Sequence, residues 1–310
     1  MDPAENALHL VEGPVVDRAE PIDDESHTVE LPPRQPQPAV PASSPPDRLV
    51  PFEHSGLRGW AGRVRSVLAR NRVALSLVAA TAALPMHFFA GRVDDTIVAA
   101  PVLSDLLGGF GLLLLPVMWL AYFAVSALPM VICQAGVVGV VLPAAADGVR
   151  PAPGTVWGLV AYRLRTLWLW FTLFGVFAQA LPLLLSTDRL GEVASLPLAI
   201  LLGVAATAAL TGIGMLGCVV LIERGRGPRR AAHLLSITPT GGLVAAALAL
   251  AVLPRLAGMT LGSVAASGVG VVCAVLWAVA ALVTYAQARR AEGPVTSVSL
   301  RSELATQAPL

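Results

Sequence analysis

The chain has 310 residues, of which 55% are hydrophobic and only 13% are charged, and its mean hydropathy is +0.72. These values exclude an ordinary soluble domain of this length. The formal net charge of +1 combines an acidic N-terminal region with basic loops, so it gives no reason to expect nucleic acid as a partner.

The first 57 residues have a composition unlike the rest of the chain. They hold 11 of the 25 prolines and 11 of the 20 acidic residues, against three arginines. Such a segment cannot bury enough apolar surface to offset its conformational entropy. We therefore expect residues 1–57 to form a disordered, acidic, Pro-rich cytoplasmic tail, followed by a basic amphipathic juxtamembrane segment at 58–72.

From residue 73 to 288 the sequence contains six stretches without Asp, Glu or Arg, and no Lys occurs anywhere in the chain. Each stretch is at least about as long as the roughly 20 residues that a membrane-spanning helix needs. We therefore predict an all-α, polytopic transmembrane helix bundle, with a cytoplasmic tail at 289–310. The predicted spans are 73–91, 107–128, 166–186, 197–222, 241–257 and 261–286.

The arginines predict the orientation of this bundle. Every second gap between the apolar runs is rich in arginine, whereas the alternate gaps hold only Arg92, Arg189 and Arg255 together with several acids. By the positive-inside rule both termini are cytoplasmic, in a multi-pass protein of the cell membrane. The arginine-rich regions contain Arg58, Arg63, Arg65, Arg70 and Arg72, then Arg150, Arg163 and Arg165, then Arg224, Arg226, Arg229 and Arg230, and finally Arg289, Arg290 and Arg301.

Two regions of the sequence decide the number of spans. The run 106–146 has 41 residues, enough for about 60 Å of helix, and could hold two spans. We favour one span that kinks near Pro129 and continues as an interfacial or cytoplasmic segment ending at Pro143. The other region is the fifth span, where Arg255 leaves only about 241–257, with its guanidinium reaching the outer interface.

A short basic segment precedes the first, third and fifth predicted spans. In each segment apolar residues recur at helical spacing, which favours amphipathic helices lying among the inner headgroups. The alternative is that they are ordinary membrane anchors without a specific lipid or partner. The candidate surface for anionic inner-leaflet lipids or a partner comprises Arg63, Arg65, Arg163, Arg165, Arg226, Arg229 and Arg230.

Small residues recur every four positions from Gly258 to Ala278 in the last span. This pattern allows another helix to approach closely, either within the monomer or in a homo-oligomer. The candidate helix-packing residues are Gly262, Ala266, Gly270 and Ala274.

The sequence holds little that indicates catalysis. There is no phosphate-binding G-x-x-x-x-G-K-[ST] motif and no H-E-x-x-H zinc motif. The three cysteines fall in three different apolar runs without a C-x-x-C pair, as small buried hydrophobic residues do. We therefore predict a protein that is not an enzyme and needs no cofactor or metal, with His87 as a weak candidate for a functional group in the membrane.

Gly148-Val-Arg-Pro151, the segment with Arg163 and Arg165, and LIERGRGPRRAAHLLS at 221–236 resemble a bacterial family of six-span proteins. This is the glycerophosphoryl diester phosphodiesterase membrane-domain family with its Yip1-like relatives. In that family an acid ends one span and a basic segment with glycine introduces the next. Glu223, Gly227 and Arg230 take these places here, while the family's Arg-Ser pair is replaced by Leu235-Ser236. The resemblance implies a membrane module without a phosphodiesterase domain.

Three functions remain open from the sequence, and the one least favoured is a membrane enzyme that acts on lipids. The first is a non-enzymatic membrane protein that organises lipid or binds a partner protein. The alternative is the permease subunit of an ABC-type exporter that works with a separate ATPase, for which the segments 152–165 and 225–237 would be the coupling surfaces.

Overall fold

The computed structural model describes residues 47–50, 56–90, 117, 120–149, 151–185, 192–223 and 227–306. This part of the chain is helical and contains no strand. The named helices are α1 (Gly56–Ala90), α2 (Leu128–Asp147), α3 (Pro153–Leu185), α4 (Glu192–Ile222), α5 (Pro228–Ile237), α6 (Gly241–Leu261), α7 (Ser263–Glu292) and α8 (Ser297–Ala305).

Within the described ranges, five helical segments are long and apolar enough to cross a membrane. The helical prediction is therefore confirmed for this part of the chain, and these segments indicate a membrane protein. Four of them overlap the predicted first, fourth, fifth and sixth spans with shifted boundaries, whereas the second begins well after the predicted start. The predicted third span, 166–186, falls on α3, which is not among the five. The five segments are Gly56–Pro85, Leu120–Asp147, Ile200–Ile222, Gly241–Leu261 and Ser263–Glu292.

The second span differs from our prediction of 107–128. Residues 107–116 lie outside the described part of the chain, and the described helix begins at Leu120 and continues to Asp147. Helical hydrogen bonding continues across the position of the predicted kink near Pro129. There the Val131 N–H donates to the Ala127 carbonyl oxygen at 3.1 Å. We expected 129–143 to lie at the interface or in the cytoplasm, but this segment packs in the centre of the bundle.

The predicted surface segments differ in whether they form separate helices. The first segment is continuous with its span in α1, and the second is continuous with its span in α3. No proline interrupts residues 56–84 or 154–181, so nothing ends these helices at the predicted boundary. The third segment is the separate helix α5, which begins at Pro228 and ends before Pro239.

Helices α2 and α7 form the core, and α7 contacts α1, α2, α4, α5 and α6. Trp277 and Tyr285 of α7 are fully buried, and the indole N–H of Trp277 donates to the Leu210 carbonyl oxygen of α4 at 3.1 Å. In α2, Gln134 is buried and its Nε2 donates to Cys218 Sγ at 3.1 Å. The inner faces of α2, α4 and α7 are thus joined by packing and by a few polar contacts.

Glycine permits one close contact near the start of α1. The Trp60 ring lies against Gly242 of α6, where an added Cβ would be 2.6 Å from ring atoms. The same indole donates from Nε1 to Thr284 Oγ1 of α7 at 3.0 Å. Trp60 of α1 therefore contacts both helices of the α6–α7 hairpin.

We expect Gly242→Ala to destabilise the protein by about 1–3 kcal/mol, because the rigid indole or the helix backbone must move to admit the methyl group. Thermal unfolding in detergent measures the effect. The matched control is Gly268→Ala in α7, where an added Cβ has nothing within 4 Å. This control should be neutral or slightly stabilising because alanine favours helix. An equal effect of the two substitutions would contradict the proposed role of the Trp60 contact.

Candidate functional site

A buried carboxylate lies where α4 ends. Glu223 follows Ile222, the last residue of an apolar helix, and is only 4% exposed. It is the only acidic residue between Glu192 and Glu292 in the sequence. A buried carboxylate is costly unless hydrogen bonds and opposite charge compensate it.

Three side chains supply that compensation. Arg230 of α5 donates from Nε to Glu223 Oε2 at 2.9 Å. Tyr285 of α7 donates its hydroxyl to Oε1 at 3.0 Å, and Nη1 of Arg289, one turn further along α7, lies 3.0 Å from the same oxygen. Both carboxylate oxygens are therefore bound, and three helices meet at one side chain.

An outer layer of acids binds the two arginines. Glu292 of α7 accepts hydrogen bonds from both terminal nitrogens of Arg230. Glu303 of α8 accepts from Arg289 Nη2 at 2.9 Å. We refer to Glu223, Arg230, Tyr285, Arg289, Glu292 and Glu303 as the Glu223 cluster.

The charges around Glu223 determine its protonation. Burial alone would raise the pKa of its carboxyl group, but the hydrogen bond from Arg230, the charge of Arg289 and the Tyr285 hydroxyl outweigh burial. The pKa of Glu223 is lowered overall. The carboxylate is therefore ionised at neutral pH, and it stabilises the fold in that form.

A second set of contacts joins Asp47 and the end of α2 to α8, the helix that carries Glu303 of the Glu223 cluster. Asp47 Oδ2 accepts from the Ser297 N–H at the start of α8 at 2.7 Å, and its Oδ1 accepts from the Leu49 and Val50 N–H groups. Burial would raise the pKa of Asp47, but these backbone donors outweigh it and lower the pKa. Nη1 of Arg301 in α8 lies 2.7 Å from Oδ1 of Asp147 at the end of α2.

Parts of both predicted tails are consequently packed. Within the predicted tail 1–57, Leu49 and Val50 are buried in the core, whereas residues 1–46 and 51–55 lie outside the described part. Within the predicted tail 289–310, α7 continues to Glu292, and α8 buries Leu300 and Leu304.

Three of the seven candidate surface arginines are bound within the protein. Arg63 donates from Nη2 to the Val50 carbonyl oxygen at 3.3 Å. Arg163 donates from Nη1 to the Glu223 carbonyl oxygen at 2.9 Å, which fastens α3 to the end of α4. Arg230 belongs to the Glu223 cluster.

Three other candidates, Arg65, Arg165 and Arg229, are exposed. Among the described residues none of them has a hydrogen-bond or ion-pair partner. Arg226 lies outside the described part of the chain. The unpartnered positive charge at this end of the bundle therefore includes one arginine on each of α1, α3 and α5.

The candidate helix-packing residues divide between a turn and a buried face. Gly262 is exposed and adopts φ +88°, which ends α6 and lets α7 begin. Ala266 is half-buried and lies near Gly258 across this turn, whereas Gly270 and Ala274 are buried. The small-residue repeat thus lies along the α6–α7 hairpin, within one chain.

No group of three His, Cys, Asp or Glu side chains that could hold a metal occurs in the described ranges, and the three cysteines are buried and unpaired. Comparison of the chain with protein-family models, with curated proteins and with solved structures found no match. The family resemblance of the segment around Glu223 therefore stays a prediction.

Sequence reasoning missed the Glu223 cluster as a structural feature. The available signal was the isolation of Glu223, because a single acid between two long apolar runs needs nearby cations. Arg230 lies seven residues away, but Arg289 and Glu303 come from distant parts of the sequence. Their meeting depends on how α7 and α8 pack.

We expect Glu223→Gln to lower the free energy of unfolding at neutral pH by about 3 kcal/mol, the lower end for a broken buried ion pair. The lower end applies because Arg230 and Arg289 keep Glu292 and Glu303 as partners. Chemical unfolding in detergent micelles measures the effect. The matched control, Glu303→Gln, removes an acid from the partly exposed outer layer and should cost less than about 1 kcal/mol.

The stability of the wild type and that of Glu223→Gln should also respond differently to pH. A lowered pKa in the folded state means that the contribution of Glu223 is complete above the ordinary glutamate pKa of about 4.3 and declines as the pH falls below it. The stability difference between wild type and Glu223→Gln should therefore shrink on acidification from pH 7 to pH 3. A difference that grows on acidification would contradict an ionised Glu223.

Proposed function

We propose that this chain is a non-enzymatic, six-span protein of the bacterial cell membrane that organises anionic lipid or binds a partner protein at its cytoplasmic face. Both termini are cytoplasmic in this proposal, so the Glu223 cluster end faces the inner leaflet. The sixth span is the apolar part of α3, whose 33 residues correspond to about 50 Å of helix.

The observation that carries this proposal is the division of the arginines at the cluster end. Arg63, Arg163 and Arg230 bind groups of the protein and hold the helices, while Arg65, Arg165 and Arg229 remain exposed without partners among the described residues. Exposed arginines beside apolar spans attract anionic headgroups, each contributing about 1 kcal/mol near a charged membrane surface.

Helix α5 supports a role for this end as a fixed surface. Ala231 and Leu234 are buried, Arg230 binds Glu223, and Arg229 is exposed. The exposed His233 lies with its Nε2 3.4 Å from Glu292 Oε1. A short helix held in this way presents its outer side in one orientation. Such a surface also suits the alternative, the permease subunit of an ABC-type exporter, in which α5 would contact the ATPase.

The test is purification of the wild-type protein and the double variant Arg65→Gln/Arg229→Gln in a mild detergent, with quantitation of retained lipids and proteins. We expect the variant to retain severalfold less anionic lipid or to lose its partner protein, since two surface charges near headgroups are removed. The control is Arg255→Gln, which removes an exposed arginine of α6 at the predicted outer end.

Unchanged lipid and protein retention in the double variant would contradict the proposed surface. A stoichiometric ATPase that remains bound to the wild-type protein would instead favour the permease. Catalytic turnover of a lipid by the purified protein would contradict the non-enzymatic assignment.

A further inference from the structure

An apolar groove of about 620 Å³ lies between α1, α2 and α3. Its walls are aliphatic and aromatic, and among the described residues Arg165 is the only charged one that lines it. The hydroxyl of Thr81 also lines the groove, but it donates to the Leu77 carbonyl oxygen of its own helix at 2.9 Å. The groove therefore offers almost no polar partner except a single cation.

Close helix contacts hold the walls of the groove apart. At Gly136 of α2 an added Cβ would be 2.7 Å from Val78 of α1, and at Gly139 it would be 2.7 Å from Val156 of α3. The helices already touch at these two glycines, so they cannot move closer there to fill the space. An apolar space of this size in a membrane protein suits a flexible hydrocarbon chain.

Arg165 is available to a ligand at this groove. It is exposed and has no hydrogen-bond or ion-pair partner among the described residues. Arg163, two residues earlier, is by contrast bound to the end of α4. Trp157, which is 64% exposed, also lines the groove, and an exposed indole is typical of a membrane interface.

We propose that this groove binds one acyl chain of an anionic phospholipid, with the phosphate of its headgroup paired to Arg165. No acid of the described ranges lines the groove, so the ammonium group of a zwitterionic headgroup would find no partner among these residues. The proposal rests on the proposed function, in which the Glu223 cluster end faces anionic inner-leaflet lipid. It adds a defined site where the proposed function requires only a charged surface.

Native mass spectrometry of the full-length protein tests the site, with dioleoyl phosphatidylglycerol and dioleoyl phosphatidylcholine titrated into delipidated protein. We expect one tightly bound phosphatidylglycerol. Arg165→Gln should weaken that binding about tenfold, the scale of one charge-assisted hydrogen bond, and weaken phosphatidylcholine binding less, because the headgroup of that lipid has a phosphate but no net charge. Arg229→Gln, which removes an exposed charge away from the groove, should change the affinity of this single tight site for either lipid by less than about twofold.

A second variant tests the chain-binding part independently of charge. Ala74 is half-buried on α1 and lines the groove, so Ala74→Phe should partly fill it and weaken the binding of both lipids. Helix content and melting temperature confirm that each variant is folded. The Arg165 comparison alone is sufficient if Ala74→Phe fails to fold.

Equal affinities of the wild-type protein for the two lipids, or equal effects of Arg165→Gln and Arg229→Gln, would overturn the groove site. The exposed-surface proposal would survive that result if Arg65→Gln/Arg229→Gln still lost anionic lipid. If no arginine variant altered lipid or protein retention, both proposals would be wrong. Displacement of the lipid by a co-purified peptide or protein that occupies the groove would also overturn the lipid assignment.

Discussion

The ionised carboxylate of Glu223 is the constraint on which the Glu223 cluster end depends. Because it is buried at the end of an apolar helix, it needs several donors, and these come from α5 and α7. Its backbone carbonyl oxygen also accepts from Arg163 of α3. Through Arg289 the same cluster reaches Glu303 of α8. One acid thus fixes where four other helices lie relative to the end of α4.

The arginines at this end are of two kinds: some bind carboxylates of the protein, and others are left to bind a ligand. Arg230 and Arg289 are largely enclosed by carboxylates, so they add little to the field at the surface. Arg65, Arg165 and Arg229 lie on helices that these contacts or core packing hold in place. A rigid frame with a few unpartnered cations is suited to binding anionic groups, because few protein degrees of freedom are lost on binding.

Hydropathy predicted most helices, because long apolar runs without charge have few alternatives in a membrane. It did not predict that α1 and α3 continue through their basic segments, since arginine is a good helix former and its charge does not end a helix. The four-residue repeat of small residues placed Gly262 on a packing face, although a φ of +88° makes it the turn. Arg230 was assigned to a lipid or partner surface because Glu223 and Glu292, to which it binds, become neighbours only after α4 and α7 pack.

The proposed function requires that the Glu223 cluster lie on the cytoplasmic side of the membrane. Ser236 lies at this end on α5, and Ser263 lies beyond α6 at the opposite turn; both are exposed. Each can be replaced by cysteine and labelled in intact cells with a membrane-impermeant maleimide, against the wild type with its buried native cysteines. We predict that Ser263→Cys is labelled and that Ser236→Cys is labelled only after the cells are opened. Labelling of Ser236→Cys in intact cells, with Ser263→Cys protected, would contradict the account.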